Sequence, residues 1–165
     1  MRPISHQLLS IFPAVIAFAL VLLSATPYPG GALTYTPNVA WLMTLVMAAF
    51  YPAAWPRGLA FGLGFSQDVL FGTPLGSQAL LAMLLAQIAG MQAQRNQAQL
   101  FRLRWLEAAG MLVLSHAVLW AVMQMVASDS ASLRHLLRAG LMNALWYPVF
   151  YWVATRVFAA LPDAK

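Results

Sequence analysis

The sequence predicts an all-helical membrane protein of about six transmembrane helices, on the strength of its composition and its six apolar segments. Of its 165 residues, 62% are hydrophobic and 8% are charged, whereas about a quarter of the residues of a soluble domain are charged. So little charge cannot cover a water-facing surface, so the apolar excess must face lipid. A spanning helix needs about 20 mostly apolar residues, and six of them fill a single polytopic domain of residues 1–165.

The first two helices are predicted over residues 8–25 and 38–55. An apolar run after a basic residue is also typical of a signal peptide. The sequence Leu-Ser-Ala-Thr at 23–26 is a poor cleavage site and five more apolar segments follow, so we interpret this run as a retained helix. The connection over 26–37 is rich in Pro and Gly, which form turns. Trp41 and Trp55 lie near the ends of the second helix, as expected for residues that anchor a helix at the membrane interface.

The third helix, predicted over residues 58–71, is short and rich in glycine. It spans only about 22 Å at 1.5 Å per residue. A full span is therefore one interpretation, and a re-entrant hairpin with the next helix is the other. The turn at 72–76 leads to the fourth helix, predicted over 75–93.

The most polar stretch of the chain covers residues 94–104 and contains three arginines among apolar side chains. This pattern suits an amphipathic segment on anionic lipid, and it equally suits a loop that binds a partner. The fifth helix is predicted over 105–127 and the sixth over 136–161, with a short polar loop at 128–132.

The basic residues predict the orientation. With the N-terminus in the cytoplasm, seven basic residues lie on the inner side and two on the outer side, as the positive-inside rule requires. The inner group is Arg2, Arg57, Arg95, Arg102, Arg104, Arg156 and Lys165, and the outer group is Arg134 and Arg138. Both termini are then cytoplasmic. The net charge of +5 indicates orientation and contact with anionic lipid headgroups rather than nucleic acid.

Asp68 is the only acid well inside an apolar segment. An acid at the bilayer centre costs roughly 2.5–3.5 kcal/mol on insertion scales, so such a residue usually faces protein and has a partner. Small residues that recur every four positions share its helix face and let another helix approach closely. They are Ala60, Gly64 and Gly72, and a second small pair is Gly58 and Gly62.

The partner of Asp68 stays open at this stage. Arg138 in the sixth helix lies at a similar predicted depth, but its side chain can equally extend to the outer headgroups. The amides of the turn after Asp68 are a further alternative, and Asn143 is interpreted as a hydrogen-bonding contact between helices. Asp68 itself is interpreted as a packing residue or as a contact for a ligand or partner.

The sequence predicts no catalytic residue, no cofactor and no metal site. Ser66 does not stand in a G-x-S-x-G motif, and an intramembrane protease would need Ser66 in contact with His116. No His, Asp or Glu pair has the i, i+4 spacing of metal ligands. The chain has no cysteine, which excludes disulfides, thiolate metal sites and cysteine nucleophiles.

Three motifs, in order along the chain, resemble those of the rod shape-determining MreD family. The central one runs from Pro56-Arg57 through a glycine-rich helix to Asp68 and a Gly-Thr-Pro-Leu-Gly turn. Upstream, Pro37-Asn38 resembles the family's start of helix two, with Thr36 where arginine is usual. Downstream, Asn143 to Pro148 resembles its closing motif. The matching positions are Pro37, Asn38, Pro56, Arg57, Gly62, Thr73, Pro74, Leu75, Gly76, Ala79, Leu80, Trp146 and Pro148.

The resemblance implies a non-enzymatic subunit of the cell-elongation machinery in the bacterial inner membrane, where it maintains rod shape and supports peptidoglycan synthesis. The implied partners are a bitopic MreC-like protein and, through it, MreB filaments and RodA with a transpeptidase. The family fold is thought similar to the S components of energy-coupling transporters. The alternative function is therefore a small-molecule-binding transporter subunit, with an outer pocket at Asp68, Arg138, Asn143, Tyr35 and Gln78.

Overall fold

A computed structural model describes residues 4–25, 37–52, 55–95, 101–126 and 132–157. These ranges are helical apart from their turns and ends, and they contain no strand. The helices are α1 (Ile4–Ser24), α2 (Val39–Phe50), α3 (Arg57–Phe71), α4 (Ser77–Arg95), α5 (Phe101–Val126) and α6 (Leu133–Val157). Residues 26–36 of the predicted loop at 26–37, residues 128–131 of the predicted loop at 128–132, both termini and the predicted end of helix six lie outside the described residues.

α2 is the central helix, and its bounds follow from local chemistry. All ten residues from Val39 to Ala48 are buried. At its start the Asn38 side chain accepts a hydrogen bond from the Trp41 amide, 3.1 Å away, as an N-cap does. The helix ends at Phe50, five residues before the predicted end at 55. Pro52 explains this, because proline disfavours the helical conformation in the residue before it.

The turn between α3 and α4 depends on two glycines with positive φ. Gly72 ends α3 at φ 65° and Gly76 precedes α4 at φ 91°, a region that suits glycine because it has no Cβ. α4 therefore begins at Ser77 and not at the predicted position 75. α3 begins one residue earlier than predicted, directly after Pro56.

The described ends of the polar stretch at 94–104 are helical, so the fifth helix begins four residues before its predicted start at 105. Arg95 is the last residue of α4, and residues 101–104 form the first turn of α5. Arginine, leucine and glutamine are good helix formers, so the polarity of this stretch does not prevent helix formation. Residues 96–100 lie outside the described ranges.

α6 begins at Leu133, three residues before the predicted start, and contains Pro148 in its interior. Proline has no amide hydrogen, so the carbonyl four residues earlier loses its helical partner. That carbonyl belongs to Ala144, and the Trp105 indole donates to it from α5 at 2.8 Å. The proline of the closing motif thereby creates a hydrogen bond between two helices.

The helices pack in two groups. α3 packs mainly on α4, α2 packs on α4, and α1 lies against α2 and α3, while α5 and α6 pair with each other. α2 contacts α6, and α4 contacts α5, where the groups meet. Large apolar side chains are exposed on the outside of the bundle, among them Val15, Val69, Leu84, Leu114, Leu141 and Trp152. Among the described residues, α5 is the one helix that is long and apolar enough to cross a membrane, so six full spans stay a prediction.

Candidate functional site

Asp68 lies in the last turn of α3 and is 1% exposed. Its carboxylate accepts five hydrogen bonds from the turn and from the start of α4. The donors are the hydroxyls of Thr73 (2.6 Å) and Ser77 (3.1 Å) and the amides of Gly76 (2.9 Å), Gln78 (3.1 Å) and Ala79 (3.3 Å). The first amides of a helix have no partner within it and form its positive end. Asp68 therefore caps α4 from the neighbouring helix.

Arg138 is exposed on α6 and is not among the described groups that contact Asp68. The structure thus places the carboxylate on the amides of the following turn, which was one of the alternatives left open by the sequence. An exposed arginine near the start of α6 is compatible with extension of its side chain toward headgroups.

From Asp68 the hydrogen bonds continue to α2. The Thr73 hydroxyl donates to Asp68 and accepts from the side-chain amide of Gln78 at 3.0 Å. The Gln78 oxygen in turn accepts from the side-chain amide of Asn38 at 3.1 Å. Asn38 also caps α2, so one side chain joins the starts of α2 and α4.

Asn143 of α6 connects this chain of bonds to α5. Its oxygen accepts from the Asn38 backbone amide at 2.6 Å, and its amide donates to the Ala139 carbonyl at 2.9 Å. The same amide lies 3.2 Å from Nε2 of His116, whose Nδ1 lies 2.8 Å from the Leu112 carbonyl. A carbonyl can only accept, so Nδ1 carries the proton and Nε2 accepts from Asn143. The tautomer is assigned from these partners.

The resulting polar chain, which consists of Asp68, Thr73, Gln78, Asn38, Asn143 and His116, joins five of the described helices. Asp68, Gln78, Asn143 and His116 are each at most 5% exposed. Within a bilayer, no water is present to replace a lost partner, and bonds in a low dielectric strengthen one another. The sequence did not indicate the role of His116, although it is a polar residue in the middle of an apolar helix.

Gly64 lies where α3 and α4 cross most closely. A Cβ at this position would be 2.6 Å from the Ala79 Cα and 2.6 Å from the Gln78 carbonyl oxygen. The other glycines predicted to pack do not. Gly58 and Gly62 have nothing within 4 Å of a Cβ, and Gly72 is an exposed cap residue rather than part of the packed face. Helical spacing predicts which residues share a face of α3, but the position of α4 determines which of these faces is packed.

Ser66 and His116 are not brought together as a catalytic pair. The Ser66 hydroxyl donates to the Leu63 carbonyl of its own helix at 2.7 Å. Both ring nitrogens of His116 are engaged by Leu112 and Asn143. Among the described residues, no group of His, Asp and Glu has the arrangement of a metal site.

The other motif positions divide between turns, packing and the surface. Pro37 precedes α2, Pro56 and Arg57 begin α3, and Pro74 lies in the turn before α4. Ala79 is fully buried at the crossing with α3. By contrast, Leu75, Leu80 and Trp146 are exposed, by 71%, 53% and 41%.

A comparison with protein families matches residues 5–156 to the rod shape-determining protein MreD family. The chain belongs to the MreD family. It is a membrane protein of the cell-shape machinery, and the family determines rod shape during cell elongation without enzymatic activity. Comparisons with curated proteins and with solved structures gave no match. All three motifs that resemble the MreD family contribute residues to the polar chain. These residues are Asn38, Asp68, Thr73 and Asn143.

Proposed function

We propose that this MreD chain is a six-span scaffold of the bacterial inner membrane with its N- and C-termini in the cytoplasm. It organises peptidoglycan synthesis and does not perform a step of it. The observation that carries this proposal is the polar chain, because its buried polar groups bond one another across five helices. These hydrogen bonds fix the helices relative to one another, so the bundle presents a rigid surface to its partners. The distribution of seven basic residues inside and two outside supports the orientation.

The partner that we propose is a bitopic MreC-like protein, which connects the chain indirectly to MreB filaments and to RodA with a transpeptidase. The family membership supports this context. The exposed apolar faces of the bundle offer surface to lipid and to a partner's transmembrane helix.

A role as a transporter subunit has less support. The polar groups that would line its pocket, Asp68, Gln78 and Asn143, are bonded to other groups of the protein, and Arg138 is exposed. Tyr35 lies outside the described residues. The comparison with solved structures gave no match, so similarity to S components stays a prediction.

The test is purification of the tagged full-length chain in mild detergent, followed by identification of the proteins that accompany it. We expect a coiled-coil MreC-like protein. Recovery of an ATPase with its membrane coupling subunit would instead support the transporter function. Depletion of the chain should give wide, round cells, and depleted cells that keep their width but require an added vitamin would contradict the proposal.

A further inference from the structure

α3 is the shortest described helix that has an exposed apolar face. It has 15 residues and extends about 22 Å at 1.5 Å per residue. α5 and α6, which pair with each other and have 26 and 25 residues, extend about 39 and 38 Å. Because the hydrocarbon core of a typical bilayer is about 30 Å thick, α3 is shorter than the core and the α5–α6 pair is longer.

The exposed face of α3 is suited to acyl chains. Phe61, Phe65 and Val69 recur every four residues along it and are 38%, 43% and 61% exposed. The rings of Phe61 and Phe65 stack with their centroids 6.3 Å apart. Another face of the helix holds the buried Gly64 and Asp68 against α4. In a membrane protein, the apolar face that the other helices leave exposed is in contact with lipid.

The N-terminal end of α3 requires water. The first amides of a helix have no partner within it, and Pro56 supplies no side-chain cap to them. Pro56, Arg57 and Gly58 are exposed. A long arginine side chain can reach water from some depth, but a backbone amide cannot. Since an unpartnered amide is costly in hydrocarbon, Gly58 has to lie at the level of the headgroups.

The C-terminal end of α3 has the same requirement. The helix ends at Phe71, and Gly72 follows it with φ 65°. Both residues are exposed. Irregular backbone that faces lipid does not occur within the hydrocarbon region, so the turn at 72–76 also lies at the level of the headgroups. Tilt of the helix only shortens the distance between its two ends across the membrane.

We propose that the exposed face of α3 binds a locally thinned bilayer, with a hydrocarbon thickness of about 22 Å, while the bilayer beside α5 and α6 keeps its ordinary thickness. This inference rests on the proposed six-span arrangement, in which α3 crosses the membrane. A bilayer accommodates a helix shorter than its hydrocarbon core by thinning around it. The mismatch of about 8 Å is confined to one side of the molecule, and phospholipids with short acyl chains fit that side best.

The test is the membrane depth of single nitroxide spin labels on cysteine variants, measured by electron paramagnetic resonance from collisions with oxygen and with a water-soluble nickel complex. The full-length chain, which has no natural cysteine, is reconstituted in dioleoyl and in dimyristoleoyl phosphatidylcholine. Gly58→Cys and Phe71→Cys report the two ends of α3, and Phe65→Cys reports its exposed face. The matched controls are Leu103→Cys and Met125→Cys, at exposed positions of α5 that are about 33 Å apart.

Both ends of α3 should lie at the level of the headgroups in dioleoyl bilayers, and their depth should stay the same in the thinner dimyristoleoyl bilayers. The two α5 labels should move outward into water in the thinner bilayers, because the lipid beside α5 does not adjust. The Phe65→Cys label should collide with oxygen as a label in lipid does. Leu70→Cys, which is also exposed, replaces Phe71→Cys if that variant does not fold.

Three outcomes would overturn the inference. If both ends of α3 lie about 5 Å below the headgroups of dioleoyl bilayers, on opposite sides, α3 spans without thinning, because the two labels are about 20 Å apart in a core of about 30 Å. The six-span arrangement would then still hold. A label near the bilayer centre at one end would show that α3 is re-entrant and would also contradict the six spans. A Phe65→Cys label that is shielded from oxygen would show that protein covers this face.

Discussion

Replacement of Gly64 by alanine should force α3 and α4 apart at the point where Asp68 caps α4. The new Cβ would lie 2.6 Å from the Ala79 Cα, whereas ordinary contact begins at 3.4 Å. The three closest neighbours, Ala79 Cα, Ala79 N and the Gln78 carbonyl oxygen, are all backbone atoms, which cannot rotate away. α4 must therefore retreat by about 0.8 Å, because dispersion contacts turn repulsive at shorter distances.

The retreat weakens the cap. If α4 moves as a unit, the bond from the Gln78 amide to Asp68, now 3.1 Å, lengthens beyond the range of about 2.7–3.2 Å for such bonds. The bond from the Ala79 amide, already 3.3 Å, lengthens further. Each bond to a charged group contributes roughly 1.5–3 kcal/mol, and overpacking costs about 1–3 kcal/mol. Alanine gains at most about 1 kcal/mol in helix propensity. We expect a net loss of about 2–4 kcal/mol in folding stability.

The assay is thermal unfolding of the purified protein in detergent, together with protein level and cell width in depleted cells that express the variant. Gly62→Ala is the matched control on the same helix, since its Cβ would meet nothing within 4 Å. It should be neutral or slightly stabilising, and Gly64→Leu should be worse than Gly64→Ala. A Gly64→Ala protein as stable as Gly62→Ala would refute the close approach of the two helices.

Three further results are expected. Asp68→Leu leaves five donors without their acceptor and should lower protein level severely. Asp68→Asn should be milder because it keeps one acceptor oxygen. Replacement of the exposed Arg138 by leucine should neither lower the level of the parent protein nor restore the level of Asp68→Leu, as measured by immunoblot. Asn143→Leu breaks the bonds to Asn38 and His116 and should lower the unfolding temperature while Leu141→Ala, at an exposed position, changes it less. A single cysteine at position 97, in a chain without natural cysteines, should react with a membrane-impermeant maleimide only after cell lysis. Labelling in intact cells would show that the proposed orientation is wrong.

Much of the helical layout was predictable from local sequence. Proline and glycine act within a few residues of their own position, so the turn at 72–76 and the boundaries near Pro56 were close to their observed places. The errors are of the same local kind. Tyr51-Pro52 ends α2 before the apolar pattern ends, and the arginines of 101–104 are compatible with helix even though they are polar.

The sequence by itself determined that the chain is an apolar helical protein with one deeply placed acid, because composition and periodicity are properties of single segments. Only the tertiary structure decided what that acid binds, which glycine is closely packed, and that His116 lies beside Asn143. Helical spacing predicted two small-residue faces on α3, one with Gly64 and one with Gly58 and Gly62, and only the position of α4 shows that Gly64 is the closely packed one. The physical reason is that hydrogen bonds and close contacts between helices depend on how distant segments are placed, and helical spacing within one segment does not contain that information.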